Sequence, residues 1–139
     1  MARQGRGINL AYTTMTKALS VLIVEDAPLL ARSIGRFLRG HGCEPEVCAD
    51  GAAAMELLEK RRYNVLITDL GLPGLGGMEL VEYVLSHDSR CKIIAISGAG
   101  NQDADRETKR NARRFQYLQK PFDLVDLLPC IMKSGKRKK

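Results

Sequence analysis

The chain contains no tryptophan, and only 5% of its 139 residues are aromatic. Because 45% of the residues are hydrophobic, the core must be built mainly from aliphatic side chains. No apolar run approaches the roughly 20 residues that cross a bilayer. Arg3 and Arg6 are not followed by the continuous apolar segment that a signal peptide requires. We therefore expect no membrane span and no membrane partner.

Cysteines are few, and their spacing excludes the common cysteine motifs. Cys43, Cys48, Cys91 and Cys130 form no C-x-x-C pair, which would indicate a redox or zinc site. A chain of this length buries enough apolar surface to fold without disulfides or a structural metal. We expect reduced thiols and a cytoplasmic location.

Positive charge is in excess, with 22 basic residues, 16 acidic residues and a net charge of +6. Residues 1–18 and 133–139 together carry eight of the basic residues and none of the acids, so the part between them is close to −2. This distribution predicts a flexible N-terminal extension over 1–17, a folded domain over 18–132 and a basic C-terminal tail over 133–139. Met15 is an alternative start of the natural chain.

Five short segments are predicted to be strands. Three are continuous and rich in β-branched residues, as in strands covered on both faces, and two are weaker. The strong candidates are Ser20–Val24, Val65–Thr68 and Lys92–Ile96, and the weaker ones are Pro45–Cys48 and Phe115–Leu118.

Segments between and after these strands have apolar residues at helical spacing. Asp50 is a predicted N-cap, and Pro129 should kink or shorten the last helix. Segment 101–111 has Ala104 as its only apolar residue, so a helix there would be weakly anchored. The apolar anchors of the other helices include Leu30, Ile34 and Leu38; Ala54, Leu57 and Leu58; Leu80, Val81 and Val84; and Leu124, Leu127 and Ile131.

Strands that alternate with helices predict a three-layer α/β sandwich with parallel strands. Ligands of such sheets bind beyond the carboxyl ends of the strands. Glu25 and Asp26 follow the first predicted strand, Asp69 the third, Ser97 the fourth and Lys120 the fifth. Three carboxylates, a hydroxyl and an ammonium are therefore expected at one edge of the sheet.

Carboxylates packed so closely repel each other unless a cation lies among them, and oxygen ligands suit Mg²⁺. A carboxylate beside such an ion is able to attack phosphorus and form an aspartyl phosphate, while lysine and hydroxyl groups balance the charge of the phosphoryl oxygens. Asp69, at the centre of this edge, is the predicted nucleophile.

Four stretches in this order and spacing resemble the receiver domain of two-component response regulators, of the single-domain chemotaxis type. They are Val21–Asp26, Leu66–Gly77, Ile94–Gly98 and Tyr117–Phe122. The resemblance implies a flavodoxin-like fold, with a five-stranded parallel sheet of order 2-1-3-4-5 and five helices. It also implies phosphorelay signalling by a cytoplasmic phosphoprotein.

The resemblance assigns roles to the acidic residues. Asp69 would accept a phosphoryl group from a histidine kinase or a histidine phosphotransfer protein. Asp26 would bind Mg²⁺, or alternatively Mn²⁺, directly, and Glu25 would act mainly through a bound water. Asp69 and the backbone carbonyl of Gly71 would complete the metal site.

The remaining roles concern the switch. Lys120 would pair with the phosphoryl group, Ser97 would hydrogen-bond it, and the rotamer of Tyr117 would follow Ser97. Pro121 would follow a cis peptide bond. The output would be a protein docking on the face formed by the fourth helix, fifth strand and fifth helix, or a phosphorylation-dependent dimer.

Two other function classes fit the sequence less well. An aspartate-nucleophile phosphatase or phosphotransferase usually has a second aspartate two residues after the first, where this chain has Gly71. A nucleic-acid-binding protein acting through the basic tail is not favoured, because the folded part is slightly acidic. We expect a domain that catalyses only its own phosphorylation and dephosphorylation. Gly71 and Ala99 are small where the family often has larger residues, which leaves the lifetime of the phosphorylated form open.

Overall fold

The structure is a computed structural model that describes residues 18–98, 100, 102–111 and 113–132, without the side chain of Asp103. The predictions made for residues 1–17, for Ala99 and for residues 133–139 lie outside the described residues.

Five parallel strands form one sheet of order β2-β1-β3-β4-β5, as the resemblance implies. Each predicted strand is present, and three of them extend one residue further toward the carboxyl edge than predicted, so that Asp69 and Ser97 are the last residues of β3 and β4. The strands are β1 Ser20–Val24, β2 Glu44–Cys48, β3 Val65–Asp69, β4 Lys92–Ser97 and β5 Phe115–Gln119.

Helices follow the strands: α1 Pro28–Gly40, α2 Gly51–Lys60, α3 Gly77–His87, α4 Gln102–Arg110 and α5 Leu127–Met132. The predicted N-cap of α2 is confirmed, since Asp50 Oδ1 accepts a hydrogen bond of 2.8 Å from the N–H of Ala53. A 3₁₀ turn over Leu124–Asp126 precedes α5, which has only six residues and contains Pro129 in its first turn. The predicted shortening of the last helix is therefore observed.

Alternate strand residues point to opposite faces of the sheet and form two apolar clusters. Leu22 packs in the cluster covered by α2, α3 and α4, whereas Ile23 packs in the cluster covered by α1 and α5. Among the described side chains of α4, only that of Ala104 is buried. The architecture is the predicted three-layer sandwich.

Two helices approach the carboxyl edge so closely that their first residue must be glycine. A Cβ atom at Gly77, which begins α3, would overlap the carbonyl oxygen of Asp69. A Cβ atom at Gly51, which begins α2, would overlap the carbonyl oxygen of Leu75. The contact at Gly77 holds the start of α3 directly against the backbone of Asp69, and the contact at Gly51 holds α2 against the loop that precedes α3.

Candidate functional site

The three predicted carboxylates meet at the carboxyl edge of the sheet. Strands β1 and β3 are neighbours, Glu25 and Asp26 follow β1, and Asp69 ends β3. One carboxylate oxygen of each residue lies within 4.8 Å of those of the other two. The fold therefore brings together residues that are more than 40 positions apart in the sequence.

Two of these carboxylates are buried and held by backbone N–H groups. Glu25 is 2% exposed and Asp69 is 6% exposed, whereas Asp26 lies on the surface. Glu25 Oε2 accepts a hydrogen bond of 3.1 Å from the N–H of Ala27, and Asp69 Oδ1 accepts one of 2.9 Å from the N–H of Gly71. Each carboxylate is thus oriented by the loop that follows its own strand.

Lys120 lies between the two buried carboxylates. Its Nζ atom is 3.3 Å from Glu25 Oε1 and 3.3 Å from Asp69 Oδ2. The backbone N–H of Lys120 donates to the carbonyl oxygen of Ser97, and the peptide bond between Lys120 and Pro121 is cis. The lysine therefore reaches the acids from β5, two strands away from β3.

The electrostatics of the site reflect burial and mutual repulsion. The pKa of the Glu25 carboxyl is raised above its usual value, mainly because the group is buried. The hydrogen bond from Ala27 opposes this rise, and the negative charge of Asp69 adds to it. Burial lowers the pKa of Lys120, but the charges of Glu25 and Asp69 outweigh this effect and raise it. One ammonium thus faces three carboxyl groups, and negative charge is in excess.

The donor set fits a hard divalent cation. Glu25 Oε1 is buried and accepts no hydrogen bond from the described residues, although Lys120 Nζ lies at ion-pair distance. A buried carboxylate oxygen that accepts no hydrogen bond is stabilised by a metal ion or by an ordered water bound to a metal ion. Oxygen ligands are those that Mg²⁺ and Mn²⁺ prefer, whereas soft metals take thiolates.

Ser97 lies in β4 and Tyr117 lies in β5, the outermost strand on that side of the sheet. Ser97 ends β4, next to β3, in the register where Asp69 pairs with Ile96. Tyr117 lies in β5 opposite Ala95 and is half-buried against the cluster covered by α2, α3 and α4. Ser97 and Tyr117 therefore lie on β4 and β5, the two strands that follow β3 in the order of the sheet.

Several features of the site are not evident from the sequence. The N–H groups of Ala27 and Gly71, which orient the acids, carry no side-chain signal. Gly77 has a weak signal, because a glycine directly before an apolar helical pattern often marks a close contact. Leu29 and Val125 are 74% and 57% exposed at the carboxyl edge, a property that their apolar character would not predict.

A parallel sheet of order 2-1-3-4-5, with acids and a lysine at its carboxyl edge, defines a flavodoxin-like α/β domain with a candidate cation and phosphoryl site. The family model for the response regulator receiver domain matches residues 21–132. The chain belongs to this family.

Relatives and solved structures agree with this assignment. The chain is 36% identical to transcription factor SKN7 of Saccharomyces cerevisiae over 82% of its own length and 18% of SKN7. It is 32% identical to the response regulator protein PmrA of Pseudomonas aeruginosa, over 78% of this chain and 49% of PmrA. The chemotaxis response regulator CheY4 of Vibrio cholerae superposes with a TM-score of 0.69 at 27% identity, covering 83% of this chain and 99% of CheY4.

The matches support the receiver class, but the chain spans only about half or less of the curated relatives it matches. The chain covers 18–20% of SKN7 from two yeasts and 34–54% of several bacterial and algal regulators. TrrA of Thermotoga maritima, solved with Mg²⁺ and beryllium fluoride, shares the fold at a TM-score of 0.71 and 22% identity, over 83% of this chain and 97% of TrrA. Receiver domains bind Mg²⁺ at an acidic site, take phosphate from histidine kinases and act on downstream partners. Within the described residues, no helix has the length and apolar character needed to cross a membrane.

Proposed function

We propose that this receiver domain is switched by phosphorylation of Asp69, with the phosphoryl group supplied by a histidine kinase or a histidine phosphotransfer protein. The observation that carries the proposal is the contact between Asp69 and Lys120 within a cluster that also contains Glu25 and Asp26. Asp69 is the member of this cluster at the end of the central strand, with the lysine on one oxygen and a backbone N–H on the other.

The chemical step transfers the phosphoryl group from the imidazole of the donor histidine to the carboxylate of Asp69. A carboxylate oxygen of Asp69 forms a bond to phosphorus while the bond from phosphorus to the donor imidazole nitrogen breaks. The nitrogen keeps the electron pair of that bond and is neutral once it has left. Lys120, already 3.3 Å from the Asp69 carboxylate, is positioned to neutralise charge on the phosphoryl oxygens.

Divalent metal is the required cofactor in this proposal. Asp26, Asp69 and the backbone carbonyl of Gly71 would hold Mg²⁺ or Mn²⁺ directly, and Glu25 would hold it through water. When bound, the ion neutralises the excess negative charge of the carboxylates and of the incoming phosphoryl group. The raised pKa of Glu25 and its buried, unsatisfied oxygen support a cation at this position.

The phosphodonor must cover the carboxyl edge, because Asp69 is only 6% exposed. Leu29 at the start of α1 and Val125 in the 3₁₀ turn before α5 are exposed apolar side chains on this edge. Leu29 and Leu124 line the same surface depression. We infer that the donor protein contacts this apolar rim while its histidine reaches Asp69.

The output of the switch would pass through Ser97 and Tyr117 to the face formed by α4, β5 and α5. Ser97 would hydrogen-bond the phosphoryl group, and Tyr117 would change rotamer in response. Helix α4 buries only Ala104, so its displacement would cost little apolar burial. The target would be a downstream protein, or a second copy of the chain in a phosphorylation-dependent dimer.

The unit that carries these functions is proposed to be residues 18–132, flanked by the extension 1–17 and the basic tail 133–139. It would act in the cytoplasm and would catalyse only its own phosphorylation and dephosphorylation. Turnover of an added phosphoester by the wild-type protein would instead favour a phosphatase.

The proposal is tested with acetyl phosphate and Mg²⁺. The wild-type chain should gain one acid-labile phosphate, detected by intact mass, and Asp69→Asn should gain none. Glu56→Gln, which removes an exposed carboxylate on α2, is the matched control and should behave as wild type. Equal phosphate uptake by Asp69→Asn would refute the assignment.

The switch is tested separately with beryllium fluoride, which mimics the phosphoryl group. Its addition with Mg²⁺ should change the tyrosine signal, and Tyr117→Phe should abolish the change. Tyr83→Phe, on α3, should retain it. A change that persists in Tyr117→Phe would remove Tyr117 from the proposed switch.

A further inference from the structure

The amino-terminal edge of the sheet, opposite the carboxylate cluster, concentrates positive charge. Two adjacent surface depressions of about 410 and 400 Å³ lie at this edge, and none of the described residues that line them is acidic. The cationic residues that line them, here called the basic edge, are Arg90, Lys92, Lys109, Arg110, Arg113 and Arg114.

Most of this charge is not neutralised by carboxylates. Arg90, Lys109 and Arg113 are exposed and form no ion pair with the described residues. The guanidinium of Arg114 donates hydrogen bonds of 3.0 and 3.2 Å to the carbonyl oxygen of Cys91. Because carbonyl oxygens orient a guanidinium without cancelling its charge, Arg114 is held in place as a cation.

Two acidic residues lie near the basic edge and offset part of its charge. The side chain of Asp88 lies 3.4 Å from Arg62 and accepts a hydrogen bond from the N–H of Arg90, and its carbonyl oxygen accepts one from the guanidinium of Arg114. Glu107 lies 3.4 Å from Arg110 and pairs with this cation of the basic edge. The net charge of the basic edge therefore remains positive.

The chain also enters and leaves the described fold at this edge. Leu19, directly before β1, and Ile131, in the last turn of α5, both line the larger depression. The sequence that precedes residue 18 carries three basic residues, and residues 133–139 carry five, with no acid in either segment. Both ends of the described chain therefore lie at the basic edge.

We propose that, in addition to its receiver function, the protein binds the phosphodiester backbone of duplex nucleic acid at the basic edge, without reading base sequence. Guanidinium groups match the geometry of phosphate oxygens, and a phosphodiester backbone is a ridge that enters a depression, whereas a bilayer surface is flat. Among the residues of the described fold that line the depressions, none is aromatic, so these residues offer no stacking platform of the kind that single-strand binders use. The surface lies opposite Asp69, which leaves the phosphorylation site accessible to its donor.

The test measures binding of the full chain to a fluorescently labelled 20-base-pair duplex of arbitrary sequence, by anisotropy, as a function of NaCl concentration. The slope of log K against log salt reports the number of phosphates contacted, at about 0.9 per contact. The variant Arg90→Gln/Arg113→Gln should flatten this slope by about 2. Arg32→Gln/Arg36→Gln, on α1, removes the same charge elsewhere and should leave the slope unchanged.

Three results would overturn the proposal. The first is that the wild-type chain does not bind the duplex at 20 mM salt. Another is unchanged binding by Arg90→Gln/Arg113→Gln, with circular dichroism showing a native fold, because the basic edge would then not be the contact. The third is binding to polyglutamate or to phosphatidylserine-containing vesicles at equal or greater strength, which would make the partner an acidic protein or a membrane. The proposal is supported if the salt slope is steeper for the duplex than for polyglutamate or the vesicles. The slope for the duplex should be reduced in the Arg90/Arg113 variant alone.

Discussion

Replacing the proposed phosphoacceptor should stabilise the metal-free protein. In the variant Asp69→Asn, one of three clustered carboxylates loses its charge, and Lys120 keeps its contact with Glu25. The carboxylate oxygens lie within 4.8 Å of one another, so at an effective dielectric constant of 20 each repulsion of Asp69 with Glu25 or Asp26 is worth about 3.5 kcal/mol or more. The attraction of Asp69 to Lys120 at 3.3 Å is worth about 5 kcal/mol. The two repulsions outweigh the attraction by about 2 kcal/mol.

The assay is urea unfolding in the presence of a chelator at pH 7.5. A gain of about 2 kcal/mol corresponds to a rise of about 1 M in the urea midpoint for a domain of this size. Glu56→Gln removes an exposed carboxylate on α2 and should change the stability by less than about 0.5 kcal/mol. Adding Mg²⁺ should narrow the difference, because the wild-type site gains more from the ion than the variant does.

The gain in stability of Asp69→Asn over the wild-type protein should also depend on pH. The pKa of Glu25 is raised above its usual 4.5 by burial and by Asp69. The folded state therefore binds more protons than the unfolded state, and the stability that Glu25 contributes is lost as the pH rises from 4.5 through its folded pKa. Removing the Asp69 charge reduces this loss, so the advantage is larger at pH 7.5 than at pH 5. An Asp69→Asn variant no more stable than wild type without metal would refute the reasoning.

Three further changes test the site. Lys120→Gln leaves two buried carboxylates without a cation, and urea unfolding in chelator should show a loss of about 3 kcal/mol; a loss below 1 kcal/mol would contradict this. Gly77→Ala should cost about 1–3 kcal/mol in the same assay, because its Cβ would overlap the backbone of Asp69. Gly76→Ser, whose Cβ would lie 3.9 Å from Glu79 Oε1 in ordinary contact, should cost nothing. At Gly71, a Cβ would lie 3.5 Å from Asp69 Oδ1, so Gly71→Asn should shield the phosphoryl group from water and slow its hydrolysis about 3- to 10-fold, measured by phosphate release. An unchanged rate would show that access of water is not limited at this position.

Much of the fold follows from the sequence, because buried parallel strands carry a continuous apolar signal. Val21–Val24 and Ile93–Ile96 are such runs, and both are fully or almost fully buried. The meeting of Glu25, Asp26, Asp69 and Lys120 follows from the rule that parallel strands end at one edge.

Contacts between distant backbone groups could not be predicted in this way. Gly77 signals flexibility in a sequence, but only the structure brings it against the carbonyl of Asp69. Lys92 was assigned to a strand, yet its burial and its hydrogen bond of 3.1 Å to the carbonyl oxygen of Ile131 depend on how α5 packs.

Charge distribution was the least predictable feature. Counting the charged residues by segment separates the basic ends from a slightly acidic domain. The acidic balance of that domain disfavours a nucleic-acid partner. The counts do not show that Arg90, Arg113 and Arg114 lie on one edge with the entry and exit of the described chain. Position within the sheet, rather than net charge, creates the basic edge.

The most direct test of the account identifies the phosphorylated residue itself. The chain is phosphorylated by a phosphohistidine donor protein with Mg²⁺, then reduced with borohydride, which converts an aspartyl phosphate to homoserine, and the peptides are sequenced by mass spectrometry. The account predicts homoserine at position 69 alone, and none when a chelator replaces Mg²⁺. Homoserine at another aspartate, or wild-type phosphate uptake by Asp69→Asn, would contradict it.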